Sequence, residues 1–149
     1  DKKIALRKKV AGLYRQCFDG VDWLVPQAIP KGCTSSYWTY AVKYLGLERL
    51  GISWSAFYNK FIENGGDGFF GGLALQHQET VMEEKDFENN YLPSADIYKE
   101  KFNYKDGDWP IAEGLQPKIM QFKTGYRNLG LAEISVNALN KTINWALNK

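Results

Sequence analysis

The segment Tyr37-Trp38-Thr39-Tyr40-Ala41-Val42-Lys43-Tyr44 carries the strongest strand signal in this chain of 149 residues. Aromatic and β-branched residues favour the extended, pleated backbone of a strand. Alternation puts every second residue on the same side of the strand. One side then holds Trp38, Tyr40, Val42 and Tyr44. We therefore expect a strand over residues 37–44.

Helical patterns lie on both sides of this strand. From Lys2 to Phe18, apolar residues recur at helical spacing with charges between them, which predicts an amphipathic helix. Ser53 suits the N-cap of a second helix, which Asn64-Gly65 would end. A third amphipathic helix is expected from Leu131 to Leu147. Trp23–Pro26 reads as a short extended piece, because Pro26 disfavours helix at the residue before it.

A glycine-rich segment runs from Gly65 to His77 and ends in the only histidine of the chain. Phe69 to Leu75 could form a second strand, with Gly71 and Gly72 marking a bend or the close approach of a partner. Residues 79–108 are polar and are expected to be loop, with short helices around 81–89 and 95–102. Pro110 begins a further element whose apolar side is Leu115, Ile119 and Met120.

This order of elements predicts an α+β fold in which a small antiparallel sheet is covered by helices. A chain of this length suits one domain, residues 1–149, which can bury a sufficient core without disulfides or metal. The sequence opens on Asp1 and enters a helical pattern at once, so we expect a piece of a longer protein. No membrane-length apolar run or signal peptide is visible, which favours the cytoplasm.

The composition argues against two classes of partner. Nineteen basic and 17 acidic residues are mixed along the chain, so nucleic acid is a poor candidate. The basic residues at 2, 3 and 7–9 are read as a solvated helix face rather than a nucleic-acid contact. Cys17 and Cys33 are far apart and there is one histidine, so a zinc site is not expected. Cys17 lies on the apolar side of its helix and is expected to be buried.

Motif searches leave the chemistry open. The glycines lack the Lys-Ser/Thr ending of a phosphate-binding loop and the spacing of a dinucleotide fingerprint. A triad of Ser35 or Ser36 with His77 and Asp67 is conceivable, but no nucleophile elbow supports it. His77 fits a core-edge role and a ligand-binding role about equally well. Aromatic residues from Trp54 to Phe61 indicate core or interface packing rather than a cofactor site.

Three segments, taken in order, resemble the C-terminal small domain of DegT-type pyridoxal-phosphate sugar aminotransferases. Residues 35–42, SSYWTYAV, are similar to that family's "HSYW-aromatic-apolar" strand. Residues 61–72, FIENGGDGFFGG, are similar to its "GGDGxYxxW" substrate-side loop. Residues 109–120, WPIAEGLQPKIM, are similar to its "P-apolar-A-E" segment. The resemblance extends over essentially the whole chain.

The resemblance implies that the full-length parent transfers an amino group from an amino acid, usually glutamate, to a keto nucleotide-sugar. Such enzymes serve surface polysaccharide or amino-sugar biosynthesis and work as homodimers. Their Schiff-base lysine and the acid that holds the pyridine nitrogen belong to a large N-terminal domain that is not in this chain. No catalytic, metal-binding or cofactor-binding residue is therefore assigned here, and the chain alone is expected to be inactive and free of pyridoxal phosphate.

The same resemblance implies that this domain forms one wall of the substrate pocket. The candidate substrate-binding residues are Tyr37, Phe69, Phe70, Gly71 and His77. Ser35 stands where the family often has histidine, and Leu73 stands near a usual tryptophan, which affects sugar specificity.

Two other functions stay open from the sequence. The chain could be a free-standing module that binds a sugar or a protein without catalysis. It could also be a small hydrolase that uses His77.

Overall fold

The computed structural model describes residues 2–79 and 105–149, which form two compact units. The first unit comprises Asp1–Gly71 and Lys118–Lys149, and the second comprises Gly72–Pro117. The expected short helices around 81–89 and 95–102 lie outside the described residues.

The first unit combines helices with a four-stranded antiparallel sheet. Its helices are α1 (Lys2–Cys17), α2 (Gly46–Leu50), α3 (Trp54–Glu63) and α5 (Leu129–Leu147). Its strands are β1 (Leu24–Pro26), β2 (Thr39–Tyr44), β3 (Phe69–Phe70) and β4 (Ile119–Lys123). The described part of the second unit holds a 3₁₀ turn (Gln76–Gln78), helix α4 (Pro110–Leu115) and most of a second 3₁₀ turn (Gln116–Lys118). The expected α+β class, a small antiparallel sheet with helices, is confirmed.

The sheet has the strand order β1-β2-β4-β3, so strands that are distant in sequence become neighbours. Tyr40 pairs with Phe122, and Phe69 pairs with Phe122 from the other side. Because side chains alternate across a strand, these residues share one face of the sheet. That face is buried, and it continues through Val42, Tyr44 and Met120.

Helices cover this buried face. The Tyr14 ring of α1 lies 5.7 Å from the Tyr40 ring and 5.3 Å from the Phe122 ring, measured between centroids. The Phe61 ring of α3 lies 6.0 Å from the Phe122 ring. Helix α5 contacts both α1 and α3 and buries Leu139 in the same core. The aromatic side chains of this sequence therefore pack largely into one continuous core.

Local signals placed the helix boundaries well. Helix α1 ends at Cys17, one residue short of the expected end, and Cys17 is 8% exposed, as its apolar position predicted. The Ser53 side chain caps α3 by accepting a hydrogen bond from the Ala56 N–H at 3.1 Å. Asn128 caps α5 in the same way, with its Oδ1 3.0 Å from the Leu131 nitrogen. Capping residues succeed because they act on backbone groups only a few positions away.

Strand boundaries required more correction. Strand β2 begins at Thr39 rather than Tyr37, because Tyr37 has a φ of 49°, which no strand residue adopts. Trp38 is 77% exposed and does not belong to the buried row. Strand β3 is only Phe69–Phe70, not Phe69 to Leu75.

The prediction for the segment after Pro110 was also wrong. Residues 110–120 were expected to form one element, but a helix ends at Leu115 and β4 begins at Ile119. Ile119 and Met120 therefore lie in the sheet, not on a helix face. The short helix α2 after β2 was not expected at all. No helix of the described residues has the length and apolarity required to cross a bilayer.

Candidate functional site

Phe69 and Phe70 were both proposed to contact substrate, but they face opposite sides of the sheet. Phe69 is 4% exposed, and its ring lies 4.9 Å from the rings of Trp54 and Phe122. Phe70 is 74% exposed and pairs with Gln121 on the opposite face. Phe69 is therefore a core residue with no surface to offer a ligand, and its assignment as a contact residue is corrected. Phe70 keeps an accessible ring.

Tyr37 lies just before β2 in a left-handed backbone conformation. Its backbone oxygen accepts a hydrogen bond from the Thr124 hydroxyl, and its N–H donates to the Ser35 hydroxyl at 3.0 Å. The Tyr37 ring stacks on the Tyr40 ring at 5.8 Å with 13° between the planes. Tyr40 belongs to the buried face, so Tyr37 and Phe70 lie on different sides of the sheet and do not share one pocket.

The glycine-rich segment proves to be shaped by the protein's own core. A Cβ at Gly66 would overlap the Phe61 ring, so this glycine leaves room for a core side chain. Gly68 has a φ of 86°, which an L side chain rarely adopts. Among the described residues, a Cβ at Gly71 would meet only the Trp54 ring, at 3.8 Å. The Gly71 carbonyl accepts a hydrogen bond from the Gln121 side-chain amide at 2.8 Å.

His77 lies in the second unit, where its side chain is 6% exposed. Its Nε2 is 3.5 Å from Asp106 Oδ1 and 3.7 Å from Glu113 Oε1, beyond hydrogen-bond range. Glu113 is itself held by the N–H groups of Gly107 and Trp109, at 2.9 to 3.1 Å. His77 therefore lies near two carboxylates, and its buried Nε2 forms no hydrogen bond with the described residues.

No hydroxyl or thiol side chain occurs in residues 72–79 or 105–117, the described part of the second unit. A serine, threonine or cysteine nucleophile for the hydrolase hypothesis is therefore not found beside His77 within these residues.

Asp67, from the same glycine-rich segment, is the centre of a polar cluster in the first unit. Its Oδ1 accepts hydrogen bonds from the Ser135 hydroxyl at 2.7 Å and the Tyr126 hydroxyl at 3.0 Å. Its Oδ2 is 3.2 Å from Lys123 Nζ. The Lys123 ammonium also lies 4.8 Å from the centre of the Tyr126 ring. We call Asp67, Lys123, Tyr126 and Ser135 the Asp67 cluster.

The Asp67 cluster borders a small cavity and is anchored to the core. The cavity has a volume of about 240 Å³, and Gly65, Leu131 and Ile134 complete its described lining. Tyr14 continues the network inward, with its hydroxyl 3.3 Å from that of Tyr126 and 3.1 Å from the Lys123 carbonyl oxygen. Burial raises the pKa of Tyr14 far above its usual range, so this phenol stays protonated at physiological pH.

Sequence reasoning named Asp67 but missed the other members of the Asp67 cluster. Lys123, Tyr126 and Ser135 lie 56 to 68 positions from Asp67 in the chain. No local spacing connects residues so far apart. The pairing of β3 with β4 brings Lys123 close to Asp67, and helix α5 contributes Ser135.

Lys60 and Lys123 each have a carboxylate partner. Lys60 forms an ion pair with Glu63 at 2.8 Å, and Lys123 forms one with Asp67.

No protein-family model matches this chain, and no curated protein shows a significant match to it.

Proposed function

We propose that this chain is the C-terminal small domain of a DegT-type, pyridoxal-phosphate-dependent aminotransferase. The parent enzyme would transfer an amino group from an amino acid such as glutamate to a keto nucleotide-sugar. The missing large domain would hold the cofactor and the Schiff-base lysine, and the enzyme would work as a homodimer. This chain would contribute substrate contacts, not the reacting groups.

One observation supports this proposal above the others: the three family-like segments converge on one sheet. The segment at residues 35–42 enters β2, the segment at 61–72 contains β3, and the segment at 109–120 runs into β4. Strand β4 pairs with both β2 and β3. Motifs that lie tens of residues apart in the sequence thus contribute adjacent strands of one sheet, as a structural role shared by the three segments requires.

Exposed aromatic side chains add support. Trp38 is 77% exposed and Phe70 is 74% exposed, and both belong to the family-like segments. Large apolar side chains at a surface often mark a contact with another domain or a ligand. In this proposal, Phe70 faces the substrate side and Trp38 faces the large domain.

The cofactor's contribution would come from outside this chain. When bound, pyridoxal phosphate acts as an electron sink that stabilises the carbanion formed during amino transfer. The part of this chain that would act near it is the glycine-rich segment, which the Asp67 cluster ties to β4 and α5. Its role would be to hold Phe70 and Gly71 in place.

The test is to express the longest reading frame that contains this chain. We expect a protein with the yellow absorbance of an internal aldimine, lost on borohydride reduction, and with glutamate-dependent amination of a keto nucleotide-sugar. The 149-residue chain alone should show neither. An aldimine spectrum from the chain alone, or a longer protein that binds no pyridoxal phosphate, would contradict the proposal.

A variant pair tests the substrate-side role of Phe70. In the longer protein, Phe70→Ala should raise KM for the keto sugar about tenfold, because a base- or sugar-facing ring is lost. Leu47→Ala is the matched control, since Leu47 is also exposed, at 59%, but lies outside the family-like segments. Equal kinetics for both variants would remove Phe70 from the site.

A second candidate function is a binding module without catalysis, and the cavity beside the Asp67 cluster favours it. Carboxylate, hydroxyl and ammonium groups lie there next to the apolar side chains of Leu131 and Ile134. Sugar hydroxyls and the apolar face of a sugar ring would suit that combination.

This alternative predicts that monosaccharides shift the amide NMR signals of residues around Asp67 in the isolated chain. Ser135→Ala should abolish these shifts, whereas Ser55→Ala, on the exposed surface of α3, should leave them unchanged. Saturating sugar without any shift would eliminate the alternative.

A further inference from the structure

The C-terminal end of helix α3 carries the only Asn-Gly pair of the chain, Asn64–Gly65. An asparagine before glycine loses its side-chain amide easily, because glycine has no side chain to shield its backbone nitrogen. Helix α3 uses this glycine for a separate reason. Gly65 has a φ of 93°, in the left-handed region that glycine commonly adopts just after a helix. The signal that ends the helix therefore also creates a reactive pair.

The reaction is an attack of the glycine nitrogen on the asparagine side chain. The Gly65 nitrogen forms a bond with Asn64 Cγ, the Cγ–Nδ2 bond breaks, and ammonia leaves with the proton of the Gly65 N–H. Water then opens the five-membered imide at either of its two carbonyl carbons. The product at position 64 is aspartate or isoaspartate, so one amide and one water become one carboxylate and one ammonium ion. No electron donor or acceptor is needed.

In the folded chain both reacting groups are engaged in hydrogen bonds. The Asn64 side-chain amide donates to the Thr142 hydroxyl of α5, with 2.9 Å between Nδ2 and Oγ1. The Gly65 N–H donates to the Ile62 carbonyl oxygen at 2.9 Å. Asn64 has a ψ of 0°, which places the Gly65 nitrogen beside the Asn64 backbone nitrogen and not on the side of Cβ. Closing the ring requires that nitrogen on the Cβ side, so the native geometry does not allow the attack.

Thr142 holds the Asn64 amide from within the core. Its side chain is fully buried, and its hydroxyl donates to the Ala138 carbonyl oxygen at 2.8 Å while it accepts from Asn64. The turn after α3 is held further by the Gly66 N–H, which donates to the Phe61 carbonyl oxygen at 2.9 Å. We call the contact between Asn64 and Thr142 the α3–α5 joint. Asn64 can react only when this joint opens.

Deamidation would weaken the same joint. Aspartate at position 64 has no N–H to donate to the Thr142 hydroxyl. Its negative charge would lie at the C-terminal end of α3, where the helix dipole disfavours an anion. Isoaspartate adds one carbon to the main chain and displaces Gly65, which borders the cavity beside the Asp67 cluster. A converted molecule therefore closes less well than the original.

We propose that Asn64 is a deamidation site whose rate is set by opening of the α3–α5 joint. Conversion is rare while the hydrogen bonds to Thr142 and Ile62 are made, and it is rapid once local opening breaks them. The reaction is irreversible, so weakened molecules accumulate with age. This inference does not depend on the proposed aminotransferase role.

The experiment follows conversion of Asn64 in the 149-residue chain at mildly alkaline pH. Peptide mass spectrometry detects the carboxylate that replaces the amide, and an isoaspartate methyltransferase assay detects isoaspartate. We expect the urea-unfolded chain to convert at least about tenfold faster than the folded chain, because unfolding releases both hydrogen bonds. Urea at concentrations below the unfolding transition should already accelerate conversion of the folded chain.

A pair of threonine variants separates the joint from general stability. Thr142→Val removes the hydroxyl that holds the Asn64 amide and should raise the rate in the folded chain by about fivefold to tenfold, the factor for one lost hydrogen bond. Thr124→Val is the matched control, because Thr124 is also buried and its hydroxyl also donates to backbone oxygens, those of Tyr37 and Trp38. Its rate should stay within about twofold of the original, since the site is independent of the joint. When unfolded in urea, both variants should convert at the original rate.

A second pair of variants tests the damage without waiting for the reaction. Asn64→Asp reproduces one product and should unfold at a lower temperature than the original. Asn59→Asp adds the same charge to α3 at an exposed position and is the control.

Three results would overturn the proposal. The first is equal conversion of Asn64 in the folded and unfolded chain. The second is equal acceleration in Thr142→Val and Thr124→Val, which assigns the effect to overall stability. The third is an Asn64→Asp midpoint no lower than that of Asn59→Asp, which shows that the product leaves the α3–α5 joint intact.

Discussion

Replacing Phe69 with alanine removes a ring from the centre of the aromatic core, and we expect a large loss of stability. The Phe69 ring lies 4.9 Å from those of Trp54 and Phe122, 5.1 Å from that of Tyr58 and 5.6 Å from that of Phe61. At 4% exposure, almost all of the side chain is in contact with protein. Truncation leaves a cavity that rigid aromatic neighbours fill poorly.

The magnitude follows from the cost of such cavities. Truncating a buried phenylalanine to alanine costs about 3–5 kcal/mol, and aromatic pairs add about 0.5–1.5 kcal/mol each beyond the buried area. We expect the upper half of that range, about 4–5 kcal/mol, because several rings lose a partner at once. For a chain of this size, each kcal/mol lowers Tm by roughly 2–4 °C, so Tm should fall by more than about 8 °C.

Phe70→Ala is the matched control, because it makes the same change at the next residue. Phe70 is 74% exposed, so its truncation should change stability by less than about 0.5 kcal/mol. Urea unfolding followed by tryptophan fluorescence measures both variants. Similar losses in the two, or a larger loss in Phe70→Ala, would refute the register of β3, since a one-residue slip exchanges the two faces.

Three further predictions concern stability and reactivity. Gly46→Ala should lower the free energy of unfolding, measured in urea, by about 1–3 kcal/mol, because the new Cβ would overlap the buried Tyr44 ring. Gly12→Ala, in open space on α1, should instead raise it by roughly 0.5–1 kcal/mol. A Gly46 variant of unchanged stability would contradict the packing. Of the two free thiols, the exposed Cys33 should react with a thiol reagent in the native protein, whereas the buried Cys17 should react only after denaturation. Rapid modification of both thiols in the native protein would contradict this prediction. Burial raises the pKa of the Cys17 thiol from 9.0 to about 11, so its contribution to the free energy of unfolding is complete below about pH 9 and is lost as pH rises through 11. The pKa of Tyr44 is also raised by burial and acts in the same direction at higher pH. Denaturation midpoints that stay constant from pH 8 to 11 would disprove this.

The sequence predicted those elements whose signals are local. Helix α3 was placed from Ser53, whose hydroxyl caps the helix three residues on. Helix α1 followed from apolar residues at helical spacing, and Cys17 was correctly placed on the buried side. In each case the deciding contacts lie within a few residues or along one helix face, so a single pattern carries enough information.

The elements that failed depend on distant partners. Tyr37 has good strand propensity, but Thr124 holds its backbone oxygen at a bend, and Thr124 lies 87 positions later. Ile119 and Met120 matched a helical face, yet pairing with β2 places them in a strand. Propensity was overridden in both cases by hydrogen bonds that the local sequence does not encode.

The candidate site shows the same division between local and distant information. Glycines and adjacent phenylalanines marked residues 65–77 as unusual, and Asp67 indeed organises a polar cluster there. The sequence could not tell Phe69 from Phe70, because the side of the sheet that receives helices is a property of the assembled layers. It also could not join Asp67 to Ser135, which requires the fold.

The sequence by itself therefore determined the α+β class, the main helices, the Ser53 cap of α3, and the succession of three family-like segments. Composition, periodicity and capping depend on residues that are close along the chain, so they can be recognised from the sequence alone. The tertiary structure alone decided the strand order β1-β2-β4-β3, the core position of Phe69 and the cavity beside the Asp67 cluster. These features depend on strand pairing and helix packing between residues that lie far apart in the chain, which no local signal encodes.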